Sequence, residues 1–266
     1  MLPDEIRLWE GSYWLDCDMT VDASNASHFP LLVDQGNDFH GQGHTITVRR
    51  CKDFKGLFIL SGGRVRDCLV LFDDRKDAAS AEAESFPGAS APSCPFIYSD
   101  TDRSAHGIVE NCHLNIRANS VNGGLVGSNA AKDGVLTVRN CSLVIESARV
   151  EGGVIGCRLA AGCNRESRLT LNNVQLWLKS GRINGFIVGP QIAHGASQDG
   201  YVSLNFNGCW AQLFGEAEVD EFSKQYQGSL GTGFNRESKY SILVNNYGSA
   251  PQIEAVIDRW KARSDP

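Results

Sequence analysis

Three closely related phrases, NGGLVG from Asn122, EGGVIG from Glu151 and NGFIVG from Asn184, begin 29 and 33 residues apart. Self-similarity at that spacing marks a chain built by stacking like units, and it limits the fold before any chemistry is weighed. A second phrase travels with the first. It reads VRDCLVLF from Val65, VENCHLNI from Val109, VRNCSLVI from Val138, LNNVQLWL from Leu171 and FNGCWAQL from Phe206. In each copy apolar residues alternate with others after a Cys or Val, which is the two-residue period of a strand with one buried face.

One such unit cannot bury its apolar face alone. Stacked units can, because like residues of neighbouring strands lie about 4.8 Å apart and form continuous columns. The alignment predicts one column of Cys68, Cys112, Cys141, Val174 and Cys209, with Leu69, His113, Ser142, Gln175 and Trp210 directed the other way. Leu125, Val154 and Ile187 form part of another. Gly123, Gly124, Gly152, Gly153 and Gly185 fall where the chain must turn sharply, and positive φ favours glycine there. Asn122, Asn140, Asn172 and Asn184 suit the same corners and are expected to stack as a ladder.

These phrases resemble the GLUG-type repeat and, more broadly, right-handed parallel β-helix proteins of the pectin-lyase-like kind. FHGQGHTITV, from Phe39 to Val48, is similar to the segment that opens such helices. The resemblance covers roughly Phe39 to Leu213. It implies an all-β, single-stranded right-handed parallel β-helix, a solenoid. It does not imply one activity, because that fold carries adhesins, viral fibre and capsid-associated proteins and polysaccharide-degrading enzymes alike.

On this reading residues 1–38 are a cap or irregular first coil, 39–248 the solenoid with an inserted loop at 73–93, and 249–266 a C-terminal amphipathic helix and tail. Ile253, Val256, Ile257 and Trp260 share one face of that helix, Pro251 suits its first turn, and Lys261 and Arg263 suit its last. The helix is expected to cap or brace the stack.

No basic segment followed by a long apolar run opens the chain, so neither a secretory signal nor a membrane span is expected. Nine cysteines, scattered over strands, read as reduced core residues rather than as a disulfide framework. Cys157 and Cys163 are too isolated for a zinc pair, and no cofactor or metal is expected. The expected location is the cytoplasm or a virion. A net charge of −6 with dispersed basic residues argues against nucleic acid, and VRRCKDFK from Val48 reads as a solvated strand edge.

Catalysis on this fold would need two carboxylates across a groove. The candidates are Asp73 and Asp74, which follow a strand, and Asp100 and Asp102, with Arg103 and His106 available to bind an anionic sugar or move a proton. All of them border the inserted loop, where Asp is also favoured as a turn former. The leading expectation is a non-catalytic structural or interaction module, such as a viral particle component or an adhesin-like surface. It would engage a protein partner or itself through aromatics such as Trp177, Tyr201, Trp210 and Phe214. A polysaccharide hydrolase or lyase is the first alternative and a carbohydrate-binding module the second.

Overall fold

The computed structural model describes residues 3–22, 28–49, 54–73, 96–100, 102–184, 187–189, 191–192, 197, 199–213, 218–219 and 240–245. In chain order the strands begin with β1 (Ile6–Trp9), β2 (Ser12–Leu15), β3 (Met19–Asp22), β4 (Leu31–Asp34), β5 (Asp38–His40) and β6 (Thr45–Arg49). Next come β7 (Phe58–Arg66), β8 (Leu69–Asp73), β9 (His106–Glu110), β10 (His113–Asn122), β11 (Val135–Glu151) and β12 (Arg158–Leu159). The last are β13 (Glu166–Asn184), β14 (Gln191–Ile192), β15 (Tyr201–Asn207), β16 (Trp210–Leu213), β17 (Glu218–Val219) and β18 (Tyr240–Asn245).

Sixteen strands join one sheet, and β12 and β14 form a separate parallel pair. The main path runs β1-β2-β5-β7-β9-β11-β10-β8-β6-β3. Off this path β13 pairs with β11, β15, β16 and β17, β18 joins β15, and β4 joins β7. β1 and β2 are antiparallel, and the other ladders are parallel. The register follows the sequence repeat. His113 stands opposite Ser142, an offset of 29 residues, and Cys141 stands opposite Val174, an offset of 33.

That register stacks Leu114, Leu143 and Leu176 in one buried column and Ile116, Ile145 and Leu178 in the next. Each such side chain contributes about 1.5–3 kcal/mol on leaving water. Leu125, Val154 and Ile187 are also fully buried, and backbone bonds of 3.1 Å (Leu125 N–H to Val154 carbonyl) and 3.0 Å (Val154 N–H to Ile187 carbonyl) link them.

The recurrent Cys column follows a bend. Asp67, Asn111, Asn140 and Asn173 all have left-handed backbone, with φ between 52° and 56°, and Gly208 takes the same place at 61°. Each following thiol donates to the carbonyl two residues back, Cys68 to Arg66 (3.3 Å), Cys112 to Glu110 (3.2 Å) and Cys141 to Arg139 (3.3 Å). A buried cysteine thus fills space as a small hydrophobe while supplying a weak donor to a carbonyl at the bend. Glycine is required at Gly152 of the GG phrase. Its φ is +69°, and a Cβ there would lie 1.9 Å from the Ile155 carbonyl oxygen.

The structure corrects the expected architecture. It is all-β, but its strands form a mixed, largely parallel sheet rather than a single-stranded right-handed parallel β-helix. Two features account for the difference. β11 and β13 run unbroken for 17 and 19 residues, through the bends at Asn140 and Asn173 where the repeat suggests separate strands. The sheet also branches, with β7 serving β4, β5 and β9 together, and it begins in an antiparallel pair. No helix occurs among the described residues. The expected C-terminal helix at 249–266 lies outside them, as does the inserted loop beyond Asp73 up to Ser93.

Candidate functional site

The left-handed bends place their side chains in a line. Asn111 Nδ2 donates to Asp67 Oδ1 at 3.0 Å, Asn140 Nδ2 to Asn111 Oδ1 at 3.3 Å, and Asn173 Nδ2 to Asn140 Oδ1 at 3.1 Å. Of the ladder members expected from sequence, Asn122, Asn140, Asn172 and Asn184, Asn140 alone belongs to this one. Asn173 rather than Asn172 takes the bend, and Asn172 instead accepts from Asn207 at 2.6 Å. Asn122 uses its Oδ1 to accept the Cys157 backbone N–H at 2.7 Å.

Beside this ladder lies a groove of about 730 Å³. One wall is Asp67, Asn111, Asn140 and Asn173, and the other is Leu69, His113, Ser142 and Gln175, with Gln42 and Gly43 at one end. The second wall follows from the register, which sets His113 against both Leu69 and Ser142, and Ser142 against Gln175. His113 Nδ1 and the Ser142 hydroxyl share a hydrogen bond of 2.7 Å. The lining is almost uncharged, Asp67 being its one carboxylate. Each ladder bond uses one of an asparagine's two amide N–H groups and one of two lone pairs on its neighbour, so the amides keep capacity for a ligand's hydroxyl groups.

The acids singled out in the sequence sit elsewhere. Asp73 ends β8 in a row with Arg49 and Arg117. Asp100 belongs to a turn: the Tyr98 hydroxyl donates to its Oδ2 at 2.6 Å, and the backbone N–H groups of Asp102 and Arg103 donate to its Oδ1 at 2.9 and 2.8 Å. Partial burial opposes ionisation of Asp100, but those three donors outweigh it and hold its carboxyl below the usual range. The same bond pushes the Tyr98 phenol up. Asp102 is exposed, and Asp74 lies outside the described residues.

His106 opens β9, and burial lowers its pKa. β9 and β8 share no ladder, because β9 pairs with β7 and β11 whereas β8 pairs with β6 and β10, so His106 and Asp73 are not neighbours in the sheet. Of the aromatics proposed as a contact surface, Trp177 is buried, at 1% exposure. The side chains of Tyr201 and Trp210, and all of Phe214, lie outside the described set.

Charge alternates along two rows of the strands, whereas Arg149 stands opposite Arg182 in another. Arg49, Asp73, Arg117, Glu146 and Lys179 occupy successive register positions. Glu146 lies 3.0 Å from Lys179 and 3.9 Å from Arg117. A second row sets Glu110 between Arg66 and Arg139. Arg139 contacts the Glu110 carboxylate through both Nε and Nη2, and Arg64 approaches it at 3.5 Å. Sequence reading missed these rows because they pair residues from different repeats. The signal was present in the phrase alignment, which puts Arg, Asp or Glu at equivalent positions.

Among the described residues no group of His, Cys, Asp and Glu is placed to hold a metal ion, and no helix is long and apolar enough to cross a membrane. No protein-family model, curated protein or solved structure matches the chain.

Proposed function

We propose that the protein is a non-catalytic binding module whose groove holds an extended, uncharged, hydroxyl-rich chain, a neutral glycan. The observation that carries this reading is the groove itself, lined by asparagine amides that recur at strand spacing, with the His113 imidazole and the Ser142 hydroxyl beside them and Asp67 as the one carboxylate. Amides suit hydroxyl groups because they donate and accept at once. Recurrence of the asparagine amide at about 4.8 Å offers a polymer the same contact at Asn111, Asn140 and Asn173, so modest single contacts add up.

The hydrolase alternative draws less support. Both Asp100 oxygens are engaged by donors of the same turn, which suits a turn former better than a proton donor. The test is calorimetric titration with linear neutral polysaccharides, combined with an assay for newly released reducing ends. Saturable binding with no release supports the module. Release that disappears in Asp100→Asn would replace this reading with the enzyme.

A further inference from the structure

β1 stands at one end of the sheet path, and its ladder to β2 is the one pairing it makes among the described residues. Its sequence is IRLW, with Ile6 buried and the other three residues exposed. Leu8 at 55% and Trp9 at 56% are two of the four large apolar side chains that are exposed among the described residues. Natural edge strands are usually guarded by charge, proline or a covering element, because an open apolar edge templates another strand. This edge carries one charge, Arg7.

Arg7 also begins a row. It stands opposite Trp14, which stands opposite His40, then Arg66, Glu110 and Arg139 in successive strands. The Trp14 and His40 rings stack at 3.8 Å and 5°, and Trp9 lies 6.2 Å from Trp14, so the β1 end of the row is a fixed aromatic platform. In the two alternating rows described above, each base has an acid in an adjoining strand: Arg49 has Asp73, Lys179 has Glu146, and Arg66 and Arg139 have Glu110. Arg7 has Trp14 on one side and no described strand on the other. Its contact with Asp16, at 3.2 Å, joins two well-exposed groups and adds little.

We infer that the outer edge of β1 accepts an extended segment of a protein partner as a further strand. In that segment an acidic residue stands opposite Arg7 and an apolar residue two positions away stands opposite Trp9. The Ile6 N–H already donates to the Pro3 carbonyl at 3.0 Å, so the backbone edge supplies affinity through its remaining groups around Leu8, and the two side-chain positions supply selectivity, as in other strand-addition complexes. Arg7 and Trp9 share a face because they are two apart, so the partner reads acid-x-apolar on that face, with an apolar residue between them to meet Leu8. Exposed tryptophan and arginine side by side are the residues that most often dominate binding energy. A glycan, lacking peptide N–H and C=O groups, would leave the strand edge unused.

The test uses the full chain and two labelled synthetic peptides, one of Glu-Val-Val repeats (the Glu–Val peptide) and one of Lys-Val-Val repeats (the Lys–Val peptide), with fluorescence anisotropy as the readout. The Glu–Val peptide is expected to bind saturably and more weakly as salt rises. Arg7→Glu should shift the preference by about tenfold or more toward the Lys–Val peptide, and Leu8→Lys should weaken both by about tenfold. Both positions are exposed, and a thermal melt of each variant checks folding. Equal binding of the two peptides, an unchanged preference in Arg7→Glu, or no binding by about 1 mM peptide overturns the inference. So does a dimer seen by sedimentation that Leu8→Lys dissolves, which would assign the edge to a second copy.

Discussion

At the residue scale, one backbone conformation organises much of the chemistry. The left-handed bend at Asn140 costs a branched or bulky side chain about 1–2 kcal/mol, while glycine takes it freely and asparagine tolerates it. Asn140→Leu should therefore lower stability by about 1–2 kcal/mol more than Asn140→Gly does, measured by denaturant titration. The bend also fixes the thiol that follows. Burial pushes the Cys112 and Cys141 thiols well above their ordinary range, and thiolate is the reactive form. Native-state alkylation followed by mass spectrometry should label exposed Cys17 and leave Cys112 and Cys141 unmodified.

His40 and His106 give the fold a pH dependence. Burial lowers both, and the Arg66 guanidinium adds to the effect at His40. Because the folded values lie below the ordinary 6.5, the unfolded chain takes up protons first as pH falls. Stability should be full above that value and should decline between it and the lowered folded values. Thermal midpoints at pH 7.5 and 5.5 check this, and His106→Gln should reduce the difference.

At the element scale, the phrase repeat translates directly into strand register. In-register parallel stacking means that aligning two phrases is the same operation as pairing two strands, so the Cys68, Cys112 and Cys141 column and its outward partners were legible from sequence. Corners were less legible. LNNV offers two asparagines, and only the backbone distinguishes Asn173 in the bend from Asn172 on the strand. Strand ends were not legible at all, because a left-handed residue can bend a strand without ending it, as Asn140 does within β11. The groove was half legible, since His113, Ser142 and Gln175 aligned as one outward column, but the asparagine ladder beside them was expected with other members, Asn140 alone being shared. In the GG phrase the physical reason is direct. Gly152→Ala should cost about 2 kcal/mol or more, since positive φ and a carbonyl 1.9 Å from the new Cβ act together. Its melting curve tests this.

At the scale of the whole molecule, repetition creates a problem that alternating charge solves. Stacking like units tends to place like charges about 4.8 Å apart, which destabilises a sheet. Setting Glu146 between Arg117 and Lys179 turns that repulsion into weak attraction. Glu146→Lys should lower stability by about 0.5–1 kcal/mol at low salt, with the loss shrinking as salt rises. Repetition also gives the groove its character, because a wall built from successive repeats offers a polymer one set of contacts per repeat.

The most direct measurement of the binding account is hydrogen exchange with and without a saturating neutral polysaccharide. The account predicts added protection in three separate segments, around Asn111 to His113, Asn140 to Ser142 and Asn173 to Gln175, and its loss from all three in Asn140→Gly. Protection confined to Tyr98 through His106, where the acids lie, would contradict it.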